Sequence, residues 1–142
     1  MPWVNNLHTV DQEATYLEYA VHKIMQGRLY LANIVIDDQI VGQVEIHNIS
    51  ANNHRGEVGY WLDSEFQGRG IMTYAVRQVI NYAFEELHLH RLELITDVAN
   101  EASQQVARRL GWKKEAYLSD YLISGDGYQD AVLFCKINHQ QV

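Results

Sequence analysis

Gln67-Gly68-Arg69-Gly70-Ile71-Met72-Thr73 stands between a strand-like run, Gly56 to Leu62, and a long amphipathic segment, Ile71 to Leu87. Two glycines at a strand-to-helix junction let the backbone approach a ligand closely, and the first turn of a helix leaves N–H groups unpaired. Those groups and the positive end of the helix dipole hold an anion, typically a phosphate. Arg69 adds a fixed cation with a forked donor geometry. The run lacks the Gly-Lys-Ser/Thr ending of a P-loop and does not fit the GxGxxG fingerprint. A tight connection alone also uses such glycines, so the neighbouring residues decide between ligand and turn.

Other reactive side chains carry weaker signals. Cys135 is the only cysteine and lies in a strand-like run, which favours a buried, inert thiol over an activated one. Seven histidines are present, with His88 and His90 flanking Leu89. No HExxH or Cys/His cluster accompanies them, so no metal site is expected. Arg108 and Arg109 could meet a phosphate or simply face solvent from a helix.

The elements that must position these residues follow from periodicity. Asp11 to Gln26 has apolar residues at Ala14, Leu17, Ala20/Val21 and Ile24, the spacing of a helix that Thr9 or Asp11 could cap and Gly27 could end. Leu29 to Ile36 and Ile40 to Ile49 read as strands about an Asp37-Asp38-Gln39 turn. Ser50 to Gly56 is a polar loop and Glu57 to Leu62 a third strand, in which Gly59 marks either a bulge or a close approach of ligand to backbone. Ile71 to Leu87 places Ala75, Val79, Tyr82/Ala83 and Leu87 on one helical face. Arg91 to Val98 is a strand, and Asn100 can cap a helix from Glu101 to Leu110. Trp112 to Ile123 and Tyr128 to Ile137 form a last pair about Ser124-Gly125-Asp126-Gly127. The order α-β-β-β-α-β-α-β-β predicts an α/β (α+β) fold, a mixed, mostly antiparallel sheet flanked by helices.

At 142 residues the chain fits one domain, residues 1–142, with room for a substantial core. Hydrophobic content of 47% and charged content of 20% suit a soluble globular protein. A net charge of −7 argues against general nucleic-acid binding and is compatible with a cationic partner such as an amine, although solubility alone would also explain it. No signal peptide or membrane-length apolar run is visible, and the cytoplasm is the simplest location.

The residues around the loop resemble the GNAT superfamily of acetyl-CoA-dependent N-acetyltransferases, whose pyrophosphate loop reads Gln/Arg-x-x-Gly-x-Gly/Ala. Gln67 to Met72 fits that pattern except that Met72 replaces the small residue. The similarity is to the ribosomal-protein N-terminal acetyltransferase (RimJ/RimL-like) branch. Gly59-Tyr60-Trp61, Gly70-Ile71-Met72-Thr73, Asn100-x-x-Ser103 and Leu110-Gly111-Trp112 carry it. The late Gly-x-Tyr-x-Asp motif is met only as Gly127-Tyr128-Gln129-Asp130. The resemblance runs from about Trp3 to Ile137. It also implies a strand and a helix ahead of the first predicted helix, for which this sequence has no counterpart; an unpaired sheet edge there leaves a homodimer open.

The resemblance implies acetyl-CoA as co-substrate. It would lie along Tyr60-Trp61-Leu62, with its pyrophosphate on Gln67, Gly68, Arg69, Gly70, Ile71, Met72 and Thr73. Asn100 would bond the pantetheine arm or only cap its helix. Ser103 would protonate the departing thiolate or only bond its own backbone. Glu57 could take the ammonium proton through water or be a solvated strand position. The glutamate base of some relatives has no counterpart in Leu118-Ser119-Asp120-Tyr121-Leu122, where Asp120 is a weaker substitute. Expected activity is acetyl transfer to a primary amine, a protein or peptide N-terminus above all. A polyamine, amino sugar or drug as acceptor is the alternative, as is a CoA-binding module without catalysis.

Overall fold

The computed structural model describes residues 4–9, 15–24 and 27–139. Within it, turn chemistry and alternation act first between Gly27 and Ser50. Strands β3 (Gly27–Ile36) and β4 (Gln39–Ser50) are joined by Asp37 and Asp38, both with positive φ (51° and 64°). That is the two-residue turn whose twist matches a hairpin, and short Asp side chains tolerate it. Strands β1 (Val4–Thr9) and β2 (Thr15–Ile24) precede this hairpin, and β5 (Arg55–Leu62), β6 (Arg91–Asp97), β7 (Lys113–Ser124) and β8 (Gly127–Ile137) follow it. They form one eight-stranded sheet in the order β1-β2-β3-β4-β5-β6-β8-β7. Every neighbouring pair is antiparallel except β5 with β6.

A parallel pair requires a crossover, and helix α1 (Ile71–Glu85) supplies it. Its buried residues, among them Ala75, Val76, Val79 and Ala83, recur at helical spacing and share a core with Val44, Ile46, Val58 and Leu92 of the sheet. Helix α2 (Glu101–Arg109) follows β6 and adds Val106 and Ala107 to that core. The helices therefore cover one face of the central strands. The opposite face, including Glu45 and His47 of β4, Glu57 of β5 and Glu93 of β6, is polar and only half-buried.

One expectation is corrected. The helix expected over Asp11 to Gln26 is not present: Thr15–Ile24 is β2, paired with β3 along its length from Thr15↔Ile36 to Ile24↔Gly27. Residues 11–14 and 25–26 lie outside the described residues. The apolar spacing of this segment fits both periods, and its Thr, Tyr, Val and Ile content suits a strand once β3 offers ten pairing partners. Of the two readings open for Gly59, the bulge is not found, because the β4–β5 register runs unbroken through Glu45↔Gly59. In this strand pair the register shifts instead between His47 and Ser50, beside Asn48 with its φ of 50°, and one of the shifts in β7 falls beside Asp120, with a φ of 48°.

Gly42 fixes the spacing of β4 and β5 where they approach the cleft. A Cβ there would lie 2.6 Å from the carbonyl oxygen of Trp61, closer than the backbone tolerates. Gly42→Ala should destabilise the fold by about 1–3 kcal/mol through overpacking. Urea unfolding of the variant checks this, and an unchanged midpoint contradicts it.

Candidate functional site

The pairing of β5 with β6 runs only from Arg55↔Arg91 to Glu57↔Glu93. Beyond it the strands part, and a cleft of about 470 Å³ opens between them. Three stretches of chain line it: Tyr60, Trp61 and Leu62 from β5, Gln67 to Thr73 without Arg69 from the loop and first turn of α1, and the side of α2 bearing Asn100, Ser103, Val106 and Arg109. The strand, the loop and the Asn-x-x-Ser segment singled out in the sequence thus meet at one place.

The loop is shaped by its glycines. Gly68 and Gly70 have φ values of 81° and 76°, and a Cβ on either would meet nothing within 4 Å. Backbone conformation, not space, is therefore what demands glycine here, and the space left open belongs to the cleft. Gly70 is the N-cap of α1 and offers no side-chain cap. The first-turn N–H groups are left for an anion or solvent, as the helix dipole favours. Ile71 and Met72 line the cleft as well and are buried in the core. Gln67 bends its amide back to donate to the carbonyl of Leu62 at 3.2 Å, closing the loop against β5.

Arg69 departs from the expected arrangement. Its guanidinium lies 5.3 Å over the ring of Phe66 and donates to the carbonyl of Glu65 at 3.4 Å. The cation that lines the cleft is Arg109. Its neighbour Arg108 is held by Glu101 and Gln104. The spacing Ala102, Ser103, Val106 and Arg109 marks one helical face, and that pattern could have separated the two arginines in advance.

Across the cleft, Tyr60 and Ser103 are bonded twice. The Tyr60 hydroxyl donates to the Ser103 carbonyl at 2.9 Å and accepts from Ser103 Oγ at 3.0 Å. Burial pushes the Tyr60 hydroxyl above its ordinary range, so it stays a donor. The Ser103 amide donates to Asn100 Oδ1 at 3.0 Å, which makes Asn100 the cap of α2 while it also lines the cleft. Trp61 points the other way and donates from Nε1 to Gln43 Oε1 at 3.3 Å. The sequence contained no sign of the Tyr60 link, whose partners are 43 residues apart.

Glu57 does not line this cleft. It sits where the two strands separate, on the sheet face opposite the helices, bonded to His47 Nε2 at 3.2 Å and to Asn48 Nδ2 at 3.2 Å. The His47 contact holds its carboxyl below the usual range. Asp120 is further away, at the irregularity of β7, with its N–H bonded to Asp130; the same Asp130 accepts the hydroxyl of Tyr117. The thiol of Cys135 is buried and pushed up by that burial and by Glu115, the environment of an inert sulphur.

Residues 1–113 match the family described as the Acetyltransferase (GNAT) domain. The chain belongs to the GNAT acetyltransferases. YdaF of Bacillus subtilis (strain 168), named provisionally as a ribosomal N-acetyltransferase, is 36% identical over 109 residues, 77% of this chain and 60% of that protein. The spermidine N(1)-acetyltransferase of Escherichia coli (strain K12) is 33% identical over 150 residues, 94% of this chain and 80% of that protein. Among solved structures, Mycobacterium smegmatis RimJ in complex with CoA-disulfide superposes with a TM-score of 0.75 at 27% identity, covering 79% of this chain and 54% of that one. The chain thus spans 54% to 80% of the length of these three relatives.

In this GNAT domain the Tyr60–Ser103 bridge ties the β5 wall of the cleft to α2. Tyr60→Phe removes one donor and one acceptor and should cost about 0.5–1.5 kcal/mol of stability. Chemical unfolding measures the loss, and a variant as stable as the parent would show that the bridge carries no net energy.

Proposed function

We propose that this domain transfers the acetyl group of acetyl-CoA to a primary amine, in the first place a protein or peptide N-terminus, in the cytoplasm. The observation that carries the reading is the cleft between parted strands, onto which the uncapped start of α1 opens at Gly68 and Gly70. The N–H groups of that turn would hold the pyrophosphate. Arg109 is the cation placed for a further phosphate. The edge of β5 at Tyr60 to Leu62 faces the opening and offers main-chain groups to the pantetheine arm, as an added strand would use them.

The chemistry asks for four things: a neutral amine, a thioester held beside it, stabilisation of the tetrahedral oxyanion, and a proton for the thiolate. Ser103, which lines the cleft, is the donor for the thiolate; its hydroxyl, which donates to Tyr60 when the cleft is empty, swings to the sulphur to do so. A ribosomal-protein acceptor is supported by the likeness to YdaF, an N-terminal amine by the likeness to the solved RimL, titled a ribosomal L7/L12 alpha-N-protein acetyltransferase, and a polyamine by the likeness to the spermidine enzyme. The net charge of −7 suits either cation. Pairing of two copies along the outermost strand β7, where Tyr121 and Ile123 are exposed, is the assembly that fits this reading.

Calorimetry with acetyl-CoA and thiol release across a panel of peptides and amines test the proposal together. Gly70→Val forces a β-branched residue into positive φ and should abolish acetyl-CoA binding in a folded protein. Ser103→Ala should lower kcat about 100-fold or more and leave acetyl-CoA affinity unchanged. Normal binding by Gly70→Val refutes the loop assignment. Binding by the parent without turnover on any amine leaves a CoA-binding module instead.

A further inference from the structure

Sheet register brings three ionisable side chains together on the face away from the helices. His47 of β4 is paired with Glu57 of β5, and Glu45 lies two residues along β4 on the same face. His47 Nε2 is 3.2 Å from Glu57 Oε2, and His47 Nδ1 is 3.7 Å from Glu45 Oε1. His47 Nδ1 is shut off from solvent and has no hydrogen-bond partner among the described residues. The imidazole is therefore bracketed by two carboxylates and is satisfied at one nitrogen only. Gly59 makes room for this: a Cβ there would stand 3.3 Å from Glu45 Oε1 and 3.4 Å from His47 Cε1.

The cluster lies at a functional position. Glu57 and Glu93 form the last pair before β5 and β6 part, so Glu57 stands where the strands begin to separate, on the side opposite α1 and α2. An amine reaching a thioester in the cleft from the open face would pass it. Glu57 alone is a poor acceptor near neutral pH, because its bond to His47 holds its carboxyl down. His47 is shifted the other way: the Glu57 bond raises its imidazole above 6.5 against the opposing effect of burial, with Glu45 and Glu57 adding attraction.

We propose that His47 is a positioning residue that stores the proton released by the acceptor ammonium, with Glu57 passing it inward from water. This rests on the acetyl-transfer reading. The ammonium gives one proton to water, water gives one to Glu57, and Glu57 gives one to the neutral imidazole. The nitrogen lone pair freed on the amine then attacks the thioester carbonyl. To accept at Nε2, the neutral imidazole carries its hydrogen on Nδ1; the imidazolium formed donates from Nε2 to Glu57, and its Nδ1–H stays 3.7 Å from Glu45, which adds attraction to the charged ring. The other charges nearby do not compete. Glu93 is bound to Arg91, which also holds Glu115, and the β3 residue opposite Glu45 is Leu31. Asn48 bonds the remaining oxygen of Glu57.

The test is a set of pH–rate profiles on one acceptor for the parent, His47→Gln, Glu57→Gln and Glu45→Gln, with imidazole NMR titration of each folded protein. The imidazole must be neutral to accept, so the parent rate should rise with pH through a midpoint above 6.5. Glu57→Gln removes the main cause of the raised value and should move the NMR midpoint and any residual limb to lower pH. Glu45→Gln should move both less. His47→Gln should erase the limb with the KM for acetyl-CoA unchanged. A limb that survives His47→Gln but vanishes in Glu57→Gln makes Glu57 the titrating group and overturns the proposal, as do four superimposable profiles. A parent that binds acetyl-CoA and acetylates no amine overturns the transfer reading and this proposal together, a result unlike any of those profiles.

Discussion

The separation of two parallel strands after three paired residues is the constraint on which the rest of the molecule depends. Backbone N–H and C=O groups need partners, and β5 beyond Glu57 loses those that β6 would have supplied. Strand β6 is still paired with β8 from Arg91 to Asp97, so it keeps its other edge. The main chain of Tyr60 to Leu62 is thus left facing an opening. A sheet tolerates such a gap only where a ligand or water takes up the unmet groups, and the gap is held from both sides. Gly42 lets β4 sit close behind Trp61, and Tyr60 reaches over to Ser103.

The same geometry gives the site two approaches of different character. On the helix side, the starts of α1 and α2 converge on the cleft with Arg109, a setting for anionic phosphates. On the open side, Glu45, His47 and Glu57 make a polar surface with more negative than positive charge, a setting for a cationic acceptor. Alternation along β5 enforces the division, because successive residues point to opposite faces. Val58 and Tyr60 turn toward the helices, while Glu57, Gly59 and Trp61 turn toward Glu45, His47 and Gln43. A shift of one residue in the β4–β5 register would exchange the two sets.

Features set by local chemistry were legible in the sequence. The glycines at 68 and 70, the Asn100 cap, the Asp37-Asp38 turn and the buried stripe of α1 each follow from a few adjacent residues, and all lie where expected. Features set by distant pairing were not legible. Thr15–Ile24 satisfies a helical period and a strand period, and only the presence of β3 alongside decides between them. The Tyr60–Ser103 bridge and the His47–Glu57 pair depend on register across strands and helices, and the irregularity at Asn48 adds to that dependence. Arg69 was the natural candidate by motif, yet stacking on Phe66 turns it from the cleft and leaves Arg109 there.

The central claim is that the opening between β5 and β6 is where acetyl-CoA binds. Amide chemical-shift mapping of the labelled protein during titration with acetyl-CoA addresses it most directly. The account predicts that the largest changes fall on the N–H groups of Gly68, Gly70 and Ile71, on Tyr60 to Leu62, and on Asn100 to Ser103, with the β1–β2 strands unmoved. Changes centred instead on the second hollow, around Tyr30, His54 and His88, or an unchanged spectrum at saturating acetyl-CoA, would contradict it.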